Sequence, residues 1–143
     1  MQRRQHVRDG SAWEEFAGYA RACRVGRRVA VSGTTDHDSD GRATHPGDVY
    51  AQTRAAIQAG LAAVRELGGS VTDVLRTRVF LVPGADWEQA ARAHRELLGE
   101  VVPANTTLYV AGLIGPGLLV EVEIDAEIDA EVDDEVDAGA GSR

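Results

Sequence analysis

Apolar positions along the chain follow two periods. Between residues 49 and 67, Thr53, Ile57, Leu61 and Val64 recur every three to four residues, which lays an apolar stripe on one side of a helix. Gly68-Gly69 closes that stretch, as glycine does past a helix C-terminus. A second helix is predicted over residues 86–99, with Trp87, Ala91, His94 and Leu98 along one side. Asp86 with Gln89 three residues on has the form of a capping box. Elsewhere the period is two. In residues 74–82, Leu75, Thr77, Val79 and Leu81 take one face of a strand and Val74, Arg76, Arg78, Phe80 and Val82 the other. Residues 19–25 and 28–33 read as short strands about a turn at Gly26. Residues 106–113 and 118–128 read as two final strands joined by Gly115-Pro116-Gly117. Residues 34–48, rich in Asp, Gly and Thr, read as a loop.

The predicted order is ββαβαββ, an α+β two-layer sandwich with both helices on one face of a mostly antiparallel sheet. Val120, Val122 and Ile124 would meet the helices, leaving Glu121, Glu123 and Asp125 on the opposite face with Arg76 and Arg78. A face that carries Phe80, valines and paired charges is better explained by association with another subunit than by bare solvent. One domain is expected over residues 13–128, preceded by a loose polar arm, residues 1–12.

Charge changes the picture at the C-terminal end. The chain of 143 residues carries a net charge of −8, yet ten of its 23 acidic residues lie between Glu121 and Asp137. Residues 1–120 hold 14 arginines against 13 acids. The body is therefore near neutral, with no gathered basic face of the kind nucleic acid requires. After Ile128 the pattern Glu-Ile-Asp-Ala, Glu-Val-Asp-Asp, Glu-Val-Asp-Ala repeats in fours, and dense carboxylates repel, so residues 129–143 are expected to form a solvated tail. A calcium site there would need a glycine-containing loop of the EF-hand kind, which is missing.

Composition excludes several chemistries. No apolar run approaches the ~20 residues that cross a bilayer, and the basic start leads into no apolar stretch, so a cytoplasmic location is expected. Cys23 is the single cysteine, which rules out a disulfide framework and a cysteine-rich zinc site. The chain has no lysine, so no Schiff base forms on a lysine amine. His37 and His45 share a loop with Asp36, Asp38 and Asp40, but in no metal-ligand spacing. His94 reads as a satisfied histidine on its helix, and Cys23 as a small packed residue.

Specific segments then carry a resemblance. They are Gly18-Tyr19, Val29-Ala-Val-Ser-Gly33, Tyr50-Ala-Gln-Thr, Gly68-Gly-Ser-Val-Thr-Asp-Val74, Arg76-Thr-Arg-Val-Phe80, Asp86-Trp87, Pro103-Ala104 and Val120-Glu-Val-Glu123. In this order and spacing the chain resembles the RidA (YjgF/YER057c/UK114) family over roughly residues 18–126. The resemblance implies a chorismate-mutase-like fold and a homotrimer, its sheets forming a central barrel with helices outside and clefts between subunits. It implies hydrolysis of enamines and imines to ketones and ammonia, without cofactor or metal. By position, Glu121 would orient the attacking water, and Tyr19 and Ser32 would place the substrate.

The family's substrate-binding arginine, which follows the Pro-Ala pair, is Asn105 here. An amide has one acceptor, one NH2 and no charge, where guanidinium offers a charged fork. Losing a bidentate carboxylate contact costs about 2–5 kcal/mol, so ordinary 2-imino acids are expected to be poor substrates unless another cation serves. Arg21, two residues from Tyr19, is the first candidate, with a surface or interface ion pair as its alternative. Arg76 and Arg78 are weaker candidates whose other role is to neutralise Glu121 and Glu123. Asn105, Thr106 and Thr107 would otherwise form a neutral lip for an amide, carbonyl or hydroxyl group. Two functional readings follow: a Rid-type hydrolase of an imine, enamine or related compound, or a trimer that binds a small molecule without turning it over. Nucleic-acid cleavage is disfavoured by the acidic balance.

Overall fold

The helix with the clearest stripe also sets the fold's geometry. The computed structural model describes residues 3–129, and α2 spans Val49–Glu66 within it. Asp48 caps its start by accepting from the Ala51 N–H. Thr53, Ile57, Leu61 and Val64 are all buried, as are Ala56 and Ala63. Gly60 lets the helix approach the sheet, since a Cβ there would stand 2.7 Å from Ile124 Cδ1. Gln52 is fully buried. Its Nε2 donates to the carbonyls of His45 and Gly117, and its Oε1 accepts from the Leu119 N–H, so one amide ties two long loops to α2.

Six strands form the sheet: β1 Arg4–Val7, β2 Ala22–Val25, β3 Arg28–Thr34, β4 Val74–Leu81, β5 Ala104–Tyr109 and β6 Val120–Glu127. Their order is β1-β2-β3-β6-β4-β5, antiparallel except for the parallel pair β4–β5. The alternation expected on β6 holds: Val120, Val122 and Ile124 are buried at 1% exposure or less against the helices. Glu121, Glu123 and Asp125 take the far face. Helix α3 spans Trp87–Leu98, and a 3-10 turn over Val71–Asp73 precedes β4.

Five expectations are corrected. The arm read over residues 1–12 contains a strand: β1 pairs in antiparallel register with β2, and Val7 is buried opposite Ala22. A helix, α1, spans Ala12–Ala17, with Ser11 accepting from the Glu14 N–H and Gly18 ending it at φ 75°. Strand β2 therefore starts at Ala22 rather than residue 19. On β4, a register shift between Val74 and Arg76 buries Val74 and exposes Leu75, the reverse of strict alternation. Helix α3 buries Ala90, Ala93 and Leu98 while Trp87 is 52% exposed. Small alanines allow closer packing against α2 than the tryptophan would. Asp86 caps α3 through the Glu88 N–H, while Gln89 pairs with Arg92 instead of closing a box. Residues 130–143, most of the expected acidic tail, lie outside the described residues.

Candidate functional site

Glu121 projects from β6 onto the sheet face away from the helices. Strand β3 carries a register irregularity between Val31 and Thr34, and Gly33 sits within it. The Glu121 carboxylate lies over that glycine: a Cβ at position 33 would come within 2.7 Å of its Oε1. Any larger residue there would displace the acid. Burial pushes the Glu121 carboxyl above its ordinary value; Arg21 opposes the shift and Glu123 adds to it. Phe80 stands opposite Glu121 on β4. Arg78 bridges the neighbouring acids, 3.6 Å from Glu123 and 3.1 Å from Asp125. Among the described residues neither Glu121 nor Arg76 makes an ion pair.

Beside these acids, Tyr19 and Ser32 border a groove of about 420 Å3, shared with Cys23 and Glu123. Ser32 Oγ donates to the Ala20 carbonyl at 2.7 Å, and the Ser32 N–H donates to the Arg21 carbonyl at 2.9 Å. The hydroxyl is thus fixed in direction, with lone pairs left to accept from a ligand. Tyr19 and Ser32 therefore border one groove, and Glu121 lies outside its lining, against the adjoining Gly33. Two residues that the sequence reading did not assign also border this groove: Arg4 and His6. They escaped notice because β1, which carries them, has a single apolar residue and no readable period.

Arg21 does not border this groove. It lines a larger one of about 730 Å3 on the helix side, with Trp13, His37 and residues of α2. Its guanidinium is buried, with Nη1 3.5 Å from Asp9, Nη2 donating to the Gly33 carbonyl, and its carbon 5.9 Å from the Tyr19 ring centre. Nε has no hydrogen-bond partner. Arg21 thus stands as an internal cation held behind Gly33. The nearby loop is pinned by Asp36, which accepts from Thr44 Oγ1 and the His45 backbone N–H and lies 2.9 Å from His45 Nδ1. Among the described residues no three His, Cys, Asp or Glu side chains gather as a metal site.

Asn105 lies elsewhere. It sits on β5, at the sheet edge two strands from β6. In register with Thr77, it projects toward the helix side and donates from Nδ2 to Thr77 Oγ1 at 3.0 Å. Thr77 Oγ1 is 2.7 Å from His94 Nε2, and Thr107 Oγ1 donates to Asn105 Oδ1 at 2.9 Å. Burial lowers the His94 pKa, which favours the neutral ring beside Thr77. Thr106 alternates to the opposite face. A single chain thus places Tyr19 and Ser32 on one groove, Glu121 against the adjoining Gly33, and Asn105, Thr106 and Thr107 on a separate edge strand.

A six-stranded sheet with helices on one face, and a half-buried glutamate near a tyrosine–serine groove on the other, defines a small α+β domain. The chain belongs to the Endoribonuclease L-PSP family, the YjgF/YER057c/UK114 group, whose model matches residues 10–128. It is similar to an uncharacterized protein of Streptomyces coelicolor, 42% identical over 121 residues, covering 85% of this chain and 90% of that one. It is similar to the 3-aminoacrylate deaminase RutC of Acinetobacter baylyi, 32% identical over 107 residues, covering 75% and 84%. The crystal structure of a Mycobacterium tuberculosis member of the YjgF/YER057c/UK114 family superposes with a TM-score of 0.79 at 36% identity, covering 88% of this chain and all of that one. No helix among the described residues is long and apolar enough to cross a membrane.

Proposed function

We propose that the protein is a Rid-type hydrolase that converts an imine, enamine or related small compound to its carbonyl product and ammonia. The observation that carries this reading is the Glu121 carboxylate, desolvated over Gly33 on the face that holds Tyr19 and Ser32. Glu121 takes a proton from water as the oxygen adds to the C=N carbon. The resulting tetrahedral adduct expels ammonia once its nitrogen is protonated, leaving the C=O group. The raised pKa suits a general base. The similarity to a 3-aminoacrylate deaminase supports the same reaction class.

The working unit of this reading is a homotrimer. The far face of the sheet leaves Leu108 exposed beside Phe80, an apolar surface that a second copy would cover. Apposed copies would also bring the Asn105–Thr106–Thr107 edge of one chain to the Glu121 region of another. Size-exclusion chromatography with light scattering tests this, and a stable monomer would sink the shared cleft. For activity, an amino-acid oxidase generates 2-iminobutanoate and its decay is followed with and without the protein. Acceleration that Glu121→Gln abolishes supports the hydrolase. If Asn105→Arg raises the rate further, the rest of the site is intact.

The second reading, a binding trimer without turnover, is favoured by one observation. The Asn105 amide already spends a donor on Thr77 and an acceptor site on Thr107. Absence of any imine decay would select it. RNA cleavage gains no support, since the far face carries Glu121, Glu123 and Asp125 and its Arg78 is paired with two of them.

A further inference from the structure

The search for a cation to serve in place of the family's arginine ends on the segment that sequence reading left as a loose arm. We propose that Arg4, carried on edge strand β1, is the anion-recognising residue of the Tyr19–Ser32 groove and binds the carboxylate of a small ligand there, with His6 beside it. This rests on the proposed use of that face by a small molecule.

The placement follows from register. β1 runs antiparallel to β2, with Arg4 opposite Val25 and His6 opposite Cys23. Val7, opposite Ala22, is buried among the core residues. Alternation therefore puts Arg4 and His6 on the face of Ser32 and Glu121. Both border the 420 Å3 groove with Tyr19 and Ser32. Arg4 Nη1 donates to Cys23 Sγ at 3.1 Å, a weak neutral acceptor. Among the described residues Arg4 makes no ion pair, so most of its planar fork remains unspent.

Two other arginines of this region are committed. Arg21 is buried against Asp9 and the Gly33 carbonyl on the far side of the groove's wall. Arg78 lies between Glu123 and Asp125. That second commitment helps Arg4, because those two carboxylates face the same groove and would repel an anion if left unpaired. Arg78 offsets one of their two charges, and Arg4 is the arginine that borders the groove beside two hydroxyl groups. A guanidinium fork meets a carboxylate with two parallel hydrogen bonds, while the hydroxyls of Ser32 and Tyr19 suit the adjoining carbonyl or imine. The ligand class is thus a small 2-oxo or 2-imino acid.

The full-length chain and its variants are titrated with 2-oxobutanoate and with the uncharged 2-oxobutanamide by isothermal titration calorimetry. Arg4→Met is expected to weaken 2-oxobutanoate binding roughly 10- to 100-fold and to leave 2-oxobutanamide within about twofold. Arg4→Lys should recover part of the loss. Arg4 is exposed, so thermal melts should match the parent protein. Equal binding of 2-oxobutanoate by parent and Arg4→Met overturns the inference, and so does a parent that binds only the amide. Imine decay keeps this apart from the hydrolase reading. If Glu121→Gln abolishes decay while Arg4→Met binds normally, the hydrolase stands and the Arg4 site falls. If Arg4→Met loses the acid while no protein accelerates decay, the Arg4 site stands and the hydrolase falls.

Discussion

Strands β6 and β5 lie on either side of β4 and present opposite kinds of polarity. On β6, Glu121 is an acid drawn out of water with no salt-bridge partner among the described residues. Its neighbours Glu123 and Asp125 share one arginine. On β5, uncharged Asn105 donates to buried Thr77 and accepts from Thr107. The first region stores unfavourable electrostatics, as catalytic groups do. The second is a satisfied neutral network, built to hold shape. Chemistry is thus expected from β6 and recognition or rigidity from β5.

Substitution of the acid should break this contrast most sharply. Glu121→Gln should lower turnover of a cleaved imine by about 100- to 10,000-fold. It should not lower the melting temperature, because the folded state already disfavours the ionised acid. The raised pKa means that Glu121 favours the fold below its ordinary value of 4.5 and loses that contribution as pH rises through the folded value. Activity, which needs the ionised base, should rise over the same interval. A pH–rate profile whose acidic limb lies at or below 4.5 would show that the acid is not desolvated.

The neutral region should respond in stability rather than turnover. Thr77→Val removes the hydroxyl between His94 and Asn105 and leaves both without that partner. Denaturant unfolding should show a loss of about 1–3 kcal/mol. A loss below that range would mean that water or a rotated Asn105 replaces the contact. Val102 enters β5 with φ at 54°, a conformation that strains a β-branched residue. Val102→Gly should therefore stabilise by about 1 kcal/mol, seen as a higher urea midpoint. The smallest effect is expected at Arg78, whose ion pairs are half exposed. Arg78→Met should cost less than about 1 kcal/mol, with a loss that shrinks as salt is added.

Legibility differed along the chain for physical reasons. Helix α2 was readable because its buried positions all lie on one stripe of one segment. Strand β6 was readable because Val120, Val122 and Ile124 alternate with three acids. Strand β1 was not, since its order comes from pairing with β2 and only Val7 is buried. Helix α1 had signals in the Ser11–Glu14 spacing and in Gly18, but its six residues bury a glutamate rather than an apolar stripe. The phase of α3 was misjudged because Trp87 outweighs Ala90 and Ala93 in hydrophobicity, yet the alanines fit the contact with α2.

The sequence by itself determined the layer architecture, the family resemblance, and the presence of Tyr19, Ser32, Glu121 and Asn105 at positions of interest. These follow from periodicity and local motif, which need no distant partner. Only the tertiary structure decided which of them meet. The irregularity at Gly33 brings Glu121 into a desolvated seat, the parallel pairing of β4 and β5 turns Asn105 toward Thr77, and the edge pairing of β1 delivers Arg4 to the groove. Each depends on register between strands far apart in the chain, and a shift of one residue would turn every side chain to the other face.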